Sequence, residues 1–400
     1  MHQFRKILLI PLKVLASLIL LAMLAIVITG ISPVYDFIKP APFSGPDIFN
    51  PYHRLDTAIG WKRANFHTHT KVEGLFNECE EWPSEVYEHY KRFGYDIVTF
   101  SNHNRLTEHP IDSTLQVNVY EHGYNLFKYH KLVFGSERVN RFDHLIPLFP
   151  FQKQFQLAML GRDSDLIQMN HPLRTEGTSR EQMQKLCGYD IMELDSGRST
   201  ENEYWDWALS AGHYSFGLAN DDLHHPERTH CIAVRCNFLN SETAVYSDLL
   251  EVLNSGCYYS MRIPDYGKGD IAVKIERNGN IPYIRNIGLE DSTVFISVSS
   301  IADSITVTGQ DHRRLMTCRN TADAKYTFSP EDAYARFTVY FPDGEVIYSN
   351  PFARYDSSAE ESPLSREIPP VNIPLTILFN LMLAASGIFI VILLIKLIRR

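Results

Sequence analysis

Two long apolar stretches mark the ends of the chain. Residues 7–30 are apolar apart from Lys13, and residues 374–395 carry no charged side chain. A helix of about 20 apolar residues crosses the hydrocarbon layer of a membrane, so each stretch predicts a transmembrane helix. The first stretch is also compatible with a cleaved signal peptide, but its length and the absence of a small-x-small pattern before Ser32 favour an uncleaved anchor over residues 1–32.

The basic residues that flank these stretches predict their orientation. They are Arg5, Lys6 and Lys13 at the first stretch and Lys396, Arg399 and Arg400 after the second. Because cytoplasmic flanks are enriched in Lys and Arg, both termini are expected in the cytoplasm and everything between the helices outside it. In a Gram-negative bacterium that outside is the periplasm.

Residues 61–262 alternate short apolar runs with helical patterns, which predicts repeated β/α units and a mainly parallel sheet. Residues 83–94 illustrate the helical pattern, because Pro83 suits a first helical turn and Gly94 a C-terminal cap. Strand-like apolar runs occur within residues 95–104, 131–139, 165–174, 189–197 and 214–224.

Residues 269–353 alternate apolar and polar positions instead, which predicts a small antiparallel β-sandwich. Asn278 and Gly279 form a dipeptide typical of a β-hairpin turn. The flanking residues 33–60 and 354–373 are rich in acidic residues and proline and are predicted to be extended linkers.

Composition excludes several classes of protein. With 44% hydrophobic and 21% charged residues the chain is expected to be globular, and with a formal net charge of −9 and no tract of Lys or Arg it is not expected to bind nucleic acid. The six cysteines form no CxxC pair and are not predicted to bind metal.

Histidines and carboxylates recur where the predicted strands end. His67 and His69 are two residues apart, so both imidazoles project to one face of an extended strand, and Asp222 and His224 repeat this spacing. A lone pair of this kind is more often ordinary surface histidine than a metal site. Repeated along one β/α array, however, such residues gather at the C-terminal ends of the strands and predict a site for several cations.

The order and spacing of "FHTHT", "YDIVTFSNHN", "GSERVNRFDHL", "QMNHPL" and "LANDDLH" resemble the PHP family, named for polymerase and histidinol phosphatase. The resemblance covers residues 61–262. It implies a distorted barrel of seven β/α units around two or three metal ions that hydrolyse phosphoesters. The expected fold is therefore α/β: a (β/α)7 PHP barrel, then a small antiparallel β-sandwich, flanked by two transmembrane helices.

The resemblance also implies three overlapping sets of metal ligands. The first set is His67, His69, Glu137 and Asp222. The second shares Glu137 as a bridge and adds His144 and His171. The third is His103, His224 and Glu73. The sequence departs from the family pattern twice, because Glu73 lies one residue nearer the histidines than expected and Asn102 stands where an aspartate is common.

Imidazole and carboxylate ligands suit zinc, iron or manganese and do not choose among them. Two or three such ions lower the pKa of a bound water from about 15.7 to about 7, so a metal-bound hydroxide is the expected nucleophile. Arg174 is the first candidate to contact a substrate phosphate, as guanidinium forks onto phosphate oxygens, although a structural ion pair would explain it equally well.

The expected function is a metal-dependent phosphoesterase that hydrolyses phosphomonoesters or phosphodiesters outside the cytoplasm. Its partners would be a phosphorylated small-molecule, lipid or sugar substrate and the membrane lipid bilayer. Two alternatives stay open: a binding or sensory module that has kept the barrel without turnover, and a metal-dependent hydrolase of C–N bonds. The nearly complete ligand set argues against the first alternative, whereas Asn102 and Glu73 argue for it.

Overall fold

The computed structural model describes residues 2–74, 77–174, 177–196, 202–359, 362–364 and 367–399, with side chains from residue 10 onward. Arg400 and the side chains of Arg5 and Lys6, used above to predict orientation, lie outside the described residues.

The described residues form eight α-helices and sixteen strands. The helices are α1 (His2–Thr29), α2 (Pro83–Arg92), α3 (Pro150–Leu160), α4 (Arg180–Met183), α5 (Asn202–Leu209), α6 (Tyr246–Ser255), α7 (Ile271–Asn278) and α8 (Ile373–Arg399). The strands are β1 (Asp47–Phe49), β2 (Lys62–Asn65), β3 (Ile97–Val98), β4 (Val119–His122), β5 (Lys131–Phe134), β6 (Leu166–Met169), β7 (Ile191–Asp195), β8 (Phe216–Ala219), β9 (Arg235–Leu239), β10 (Tyr258–Arg262), β11 (Ile284–Glu290), β12 (Thr293–Gly309), β13 (Arg313–Thr327), β14 (Tyr334–Tyr340), β15 (Val346–Ser349) and β16 (Phe352–Tyr355).

The terminal helices α1 and α8 are long and apolar enough to cross a membrane, and they pack against each other. Asn380, in the second turn of α8, accepts a hydrogen bond from the backbone N–H of Ser32 and donates one to the Ser32 carbonyl. Further along α8, a Cβ at Gly387 would lie 3.6 Å from Val27. The end of α1 therefore meets the beginning of α8, and the two helices run antiparallel.

A five-stranded sheet has the order β4-β5-β6-β7-β8. Strands β6, β7 and β8 are parallel, but β5 is antiparallel to both β4 and β6. Every position of these five strands is buried, and most of their residues are apolar. The sheet is thus mixed. Because β5 is reversed, its N-terminal end lies beside the C-terminal ends of β4 and β6.

The second sheet has the order β1-β16-β14-β15-β10-β9-β2-β3, and β11, β12 and β13 join it where β12 pairs with β14. Strands β2 and β3 are parallel. The C-terminal strands are continuous with β9 and β10, because β15 pairs with β10 along Tyr259–Arg262.

Two isolated parallel bridges join the two sheets. Thr68, just beyond β2, pairs with Leu223, just beyond β8, and His103, beyond β3, pairs with Glu121 in β4. The ends of β2, β3, β4 and β8 therefore lie beside one another.

Two local predictions have clear outcomes. Helix α2 begins at Pro83 and is followed by Gly94 with φ +77°, so the helix and both of its predicted end signals are confirmed. The predicted hairpin at Asn278 and Gly279 is wrong, because these residues end helix α7. Asp270 caps that helix by accepting hydrogen bonds from the backbone N–H groups of residues 272 and 273.

Candidate metal centre

The two histidines of the HxH motif lie in the extended segment that follows β2. Hydrogen bonds to the residues that follow β8 fix this segment, since the Phe66 N–H donates to Asn220 Oδ1 at 3.0 Å and the His69 N–H to the Leu223 carbonyl at 3.0 Å. Both imidazoles are buried and their ring centroids are 5.4 Å apart. The i, i+2 spacing has therefore placed them side by side.

Glu121 and Asp222 complete a first group of possible metal ligands with these histidines. His67 Nε2 lies 3.3 Å from Glu121 Oε2 and 3.2 Å from Asp222 Oδ1. His69 Nε2 lies 3.2 and 3.3 Å from the same two oxygens. All four side chains are buried, and one ligand atom from each lies within 4.8 Å of the others.

Two further groups share members with the first: His69, Glu78 and His103, and His103, Glu121 and His130. His103 Nε2 is 3.3 Å from Glu78 Oε2 and 3.0 Å from Glu121 Oε2. On the other oxygen of Glu121, His130 Nδ1 lies at 3.0 Å. We call the residues of the three groups the metal cluster; its members are His67, His69, Glu78, His103, Glu121, His130 and Asp222.

The cluster fits divalent cations because it contains buried ligand atoms without hydrogen-bond partners. These atoms are His67 Nε2, both ring nitrogens of His69, and Asp222 Oδ1. A buried polar atom left unpaired is costly in free energy and is rare in native structures. Imidazole nitrogen and carboxylate oxygen are the ligands of zinc, iron and manganese, so bound cations would satisfy His67 Nε2, one ring nitrogen of His69 and Asp222 Oδ1.

Glu193 orients His67 from behind the cluster. Its Oε1 accepts a hydrogen bond from His67 Nδ1 at 2.9 Å, and its Oε2 accepts from the His171 backbone N–H at 3.0 Å. This bond fixes the tautomer that leaves Nε2 free to bind a cation, a role that outer carboxylates commonly have for metal-binding histidines.

Opposite charges within the cluster shift one another's pKa values. Burial alone would lower the pKa of His67 and His69, but the neighbouring carboxylates raise the pKa of His67 well above its usual value and that of His69 to about 9. Burial would raise the pKa of Glu121 and Asp222, yet the surrounding histidines hold both well below the usual range. Burial lowers the pKa of His130 to about 4 despite Glu121.

Most of the residues predicted as ligands lie in this region. His67, His69, His103 and Asp222 belong to the cluster. His171 contacts it, with Nε2 3.2 Å from Glu121 Oε1, and the His224 ring centroid is 4.5 Å from that of His69.

Glu137 and His144 lie elsewhere in the described structure. Glu137 is exposed just beyond the C-terminal end of β5. Because β5 runs against its neighbours, that end points away from the cluster, and the N-terminal end of β5 delivers His130 to the cluster instead. The Nδ1 of His144 donates to the carbonyl of Thr29, the last residue of α1. Glu121, not Glu137, lies between the histidines of the first and third groups.

Glu73 is also placed away from the cluster. Its side chain is exposed, and its backbone carbonyl accepts a hydrogen bond from Arg105 at 3.0 Å. Glu78, in place of Glu73, groups with His69 and His103. Asn102 is buried and fixes the backbone just after His69, since its Oδ1 accepts a hydrogen bond from the Thr70 N–H at 2.9 Å.

Three cluster members were not predicted from the sequence: Glu78, Glu121 and His130. A signal for Glu121 exists, because it lies near the C-terminal end of β4, as Asp222 lies beyond the C-terminal end of β8. His130 lies just before the N-terminal end of β5. The prediction of parallel strands places ligands at C-terminal strand ends, so it does not include His130. Glu78 lies in an irregular segment without a periodic pattern.

Arg174 lies beside Asp222. Its Nη1 donates to Asp222 Oδ2 at 2.6 Å, while Asp222 Oδ1 faces His67 and His69. The ion pair thus fixes which carboxylate oxygen is directed into the cluster.

Comparison with known proteins gives only distant likeness. No protein-family model and no curated protein matches the chain. Among solved structures, a two-domain protein from Bacteroides vulgatus, described as containing a predicted PHP-like metal-dependent phosphoesterase, is similar over 79% of this chain and 100% of its own, with 13% sequence identity and a TM-score of 0.39. Because this similarity is low, the functional argument depends on the geometry of the cluster.

Proposed function

We propose that this chain is a metal-dependent hydrolase of phosphoric ester bonds, with two or three zinc, iron or manganese ions held by the metal cluster. The observation that carries the proposal is the position of Glu121, which belongs to two of the three groups and presents Oε2 to His67 and His69 and Oε1 to His130. Shared ligands hold cations a few ångströms apart, which is the arrangement that stabilises both the attacking and the leaving oxygen of a phosphoester.

Divalent ions in the cluster would neutralise charge on phosphoryl oxygens and lower the pKa of a coordinated water. The chain's own residues position the components. Glu193 fixes the ring of His67, and Arg174 fixes Asp222. A guanidinium has five N–H donors, so its bond to Asp222 leaves Arg174 others with which to bind a phosphoryl oxygen.

The substrate would enter on the side of Glu78, His103 and His224. The side chain of Glu78 is 44% exposed and those of His103 and His224 are partly exposed, whereas His67 and Asp222 are buried. A phosphorylated small molecule, lipid or sugar approaching from this side meets the cations before it meets the core.

The proposed hydrolase domain comprises residues 61–262, with β2 to β8 closed as a distorted barrel. The bridges Thr68–Leu223 and His103–Glu121 support closure, because they join the two sheets at both sides of the cluster. The charge bias of the terminal helices supports a domain on the extracytoplasmic side.

The test uses the full-length protein in nanodiscs, loaded with manganese or zinc, and the soluble probes p-nitrophenyl phosphate and bis(p-nitrophenyl) phosphate. We expect hydrolysis of at least one probe and its loss in His67→Ala and Asp222→Ala. His225→Ala is the matched control, because His225 lies next to the DxH motif but is exposed and pairs with Glu227. Bound metal without hydrolysis, or equal activity in all variants, would refute the proposal.

A further inference from the structure

The loop that joins two cluster strands lies against a second segment at the same end of the sheet. Residues 123–130 lead from β4, which contains Glu121, to His130. The backbone N–H of Tyr124 donates to Asp143 Oδ2 at 2.8 Å, and that of Leu126 donates to the Leu145 carbonyl at 3.1 Å. Residues 141–151 are thus attached to the end of β4 that holds the cluster.

The same segment, residues 141–151, contacts both terminal helices. At α1, the Leu145 N–H donates to Thr29 Oγ1 at 3.2 Å, next to the bond between His144 and the Thr29 carbonyl. At α8, the rings of Phe149 and Phe151 lie 5.8 and 4.9 Å from that of Phe379. The cluster end of the sheet is therefore the end that faces the two membrane-length helices.

The contact with α8 indicates how deeply this segment would lie in a membrane. Phe379 lies six residues after the first residue of α8, and at 1.5 Å per residue this is about 9 Å along the helix axis. A segment in the membrane interface is buried about 5–10 Å into the boundary between headgroups and acyl chains. If α8 crosses the membrane, Phe149 and Phe151 lie at that depth.

Several large apolar side chains on these two segments are exposed. They form what we call the membrane-side patch: Tyr124, Leu126, Phe142, Leu148 and Phe149. Exposed Lys128 and Arg141 belong to the same segments, and basic side chains at such a surface attract anionic headgroups. Exposed apolar side chains together with cations, on segments attached to membrane-length helices, are typical of a surface that lies in a bilayer.

The patch is close to the cluster. Tyr124 is three residues from Glu121, so their Cα atoms are at most about 11 Å apart, and Leu126 is four residues from His130, or at most about 14 Å. A phosphoester in a lipid headgroup lies just above the acyl chains. A lipid in the same leaflet as the patch would therefore carry its phosphate near the cluster.

We propose that the membrane-side patch lies in the membrane interface and that the cluster hydrolyses the phosphoester of a membrane lipid in that leaflet. The choice of substrate depends on the proposed function, whereas the position of the patch does not. A soluble phosphoester would need neither the patch nor the orientation of the cluster end of the sheet towards α1 and α8.

The position of the patch is tested by tryptophan fluorescence of the full-length protein in phosphatidylcholine nanodiscs. We expect bromine-labelled acyl chains to quench the emission added by Leu148→Trp but not that added by Ile301→Trp. Ile301 is the matched control, because it is 64% exposed against 56% for Leu148 but lies on β12 in the other sheet. Equal quenching of the two variants, or none in Leu148→Trp, would overturn the proposal even if the enzyme is active.

The substrate class is tested with two phosphomonoesters that differ in their acyl chains: phosphatidic acid in nanodiscs and glycerol 3-phosphate in solution. We expect the unmodified protein to cleave phosphatidic acid faster. The double variant Leu126→Asp, Leu148→Asp should lower that rate about tenfold and leave glycerol 3-phosphate hydrolysis unchanged, while Ile301→Asp changes neither.

The outcomes separate the two proposals. Hydrolysis of glycerol 3-phosphate at a rate equal to or above that of phosphatidic acid, or equal losses on both probes in the double variant, would refute the lipid substrate and leave the phosphoesterase in place. Failure to cleave either probe or the aryl phosphates would refute the phosphoesterase itself.

Discussion

Glu121 joins the parts of the cluster, because its two carboxylate oxygens face different histidines. Its Oε2 lies 3.0–3.3 Å from ring nitrogens of His67, His69 and His103. Its Oε1 lies 3.0 Å from His130 and 3.2 Å from His171. A carboxylate placed in this way can bridge two cations, and its charge opposes repulsion between them.

We therefore expect Glu121→Gln to reduce the metal content of the purified full-length protein by at least one equivalent, because the change keeps the shape of the side chain and removes its charge. Elemental analysis after dialysis measures this. Glu137→Gln is the control, since Glu137 is exposed and away from the cluster. Equal metal content in the two variants would refute a bridging role for Glu121.

The protonation of His69 predicts how metal binding depends on pH. Burial opposes its charged form, but Asp222 and Glu121 raise its pKa from 6.5 to about 9. In the metal-free protein this pair of interactions contributes stability that is fully present below pH 6.5 and is lost as pH rises through about 9. A cation needs the neutral imidazole, so it must displace a proton.

Metal uptake at pH 7 should therefore release protons, and affinity should rise with pH until about pH 9. Calorimetric titration with zinc in buffers of different ionisation enthalpy measures the number of protons released. The same titration of His69→Ala is the control, because this variant keeps His67, whose pKa the carboxylates also raise, and lacks the proton of His69. An enthalpy at pH 7 that does not vary with the buffer would contradict this prediction.

At the scale of elements, the direction of β5 decides which residues reach the site. The terminal helices, α2 and the HxH motif were readable from sequence because each depends on local periodicity. An apolar run, by contrast, does not indicate which way its strand points. The connection between β4 and β5 covers only residues 123–130, too short for the crossover of a dozen or more residues that parallel neighbours need.

Recognising Val119–His122 as a strand would have supplied that clue. Glu121 would then have been found at its end, and the short connection would have required β5 to be antiparallel. His130 would have become the candidate ligand in place of Glu137. The hairpin predicted at Asn278 failed for a similar reason, since an Asn-Gly pair suits the end of a helix as well as a tight turn.

Gly256 fixes the C-terminal end of α6 against the core. It ends α6 with φ +80°, and a Cβ there would lie 2.2 Å from the ring of Phe216 in β8. Gly256→Ala should therefore destabilise the protein by more than the roughly 1–2 kcal/mol that a left-handed backbone costs an L-residue.

Gly60→Ala separates these two costs, because Gly60 has φ +70° but open space around its Cβ position. Thermal unfolding of both variants, followed by circular dichroism in the same nanodiscs, measures the difference. Equal shifts in the unfolding temperature would show that Phe216 moves aside without cost and that α6 is not tightly fixed on β8.

At the scale of the whole molecule, the terminal helices and the proposed hydrolase domain share one junction. Gln152, in α3, donates to the carbonyl of Gly30 at 2.9 Å, beside the bond between His144 and Thr29. The Val34 N–H donates to Thr376 at the start of α8, also at 2.9 Å. His144, predicted as a metal ligand, thus ties the domain to α1, and rotation of the domain about the helices would break these bonds.

The antiparallel packing of α1 and α8 makes the membrane orientation testable with a single reporter. If both helices cross, their outer ends lie on one side of the membrane and the domain on the other. Lys396 and Arg399 predict that the outer end of α8 lies in the cytoplasm. A phosphatase reporter that is active only outside the cytoplasm should therefore be inactive when fused after residue 400.

The matched fusion, after Asp356, removes α8 and leaves the reporter on the side of the domain, where it should be active. Both fusions keep α1 and its basic flank, so a difference between them reports the crossing of α8 alone. Activity in both would mean that α8 does not return the chain to the cytoplasm. Activity only after residue 400 would place the domain inside the cell, and the cluster would then face the cytoplasmic leaflet with the same patch against it.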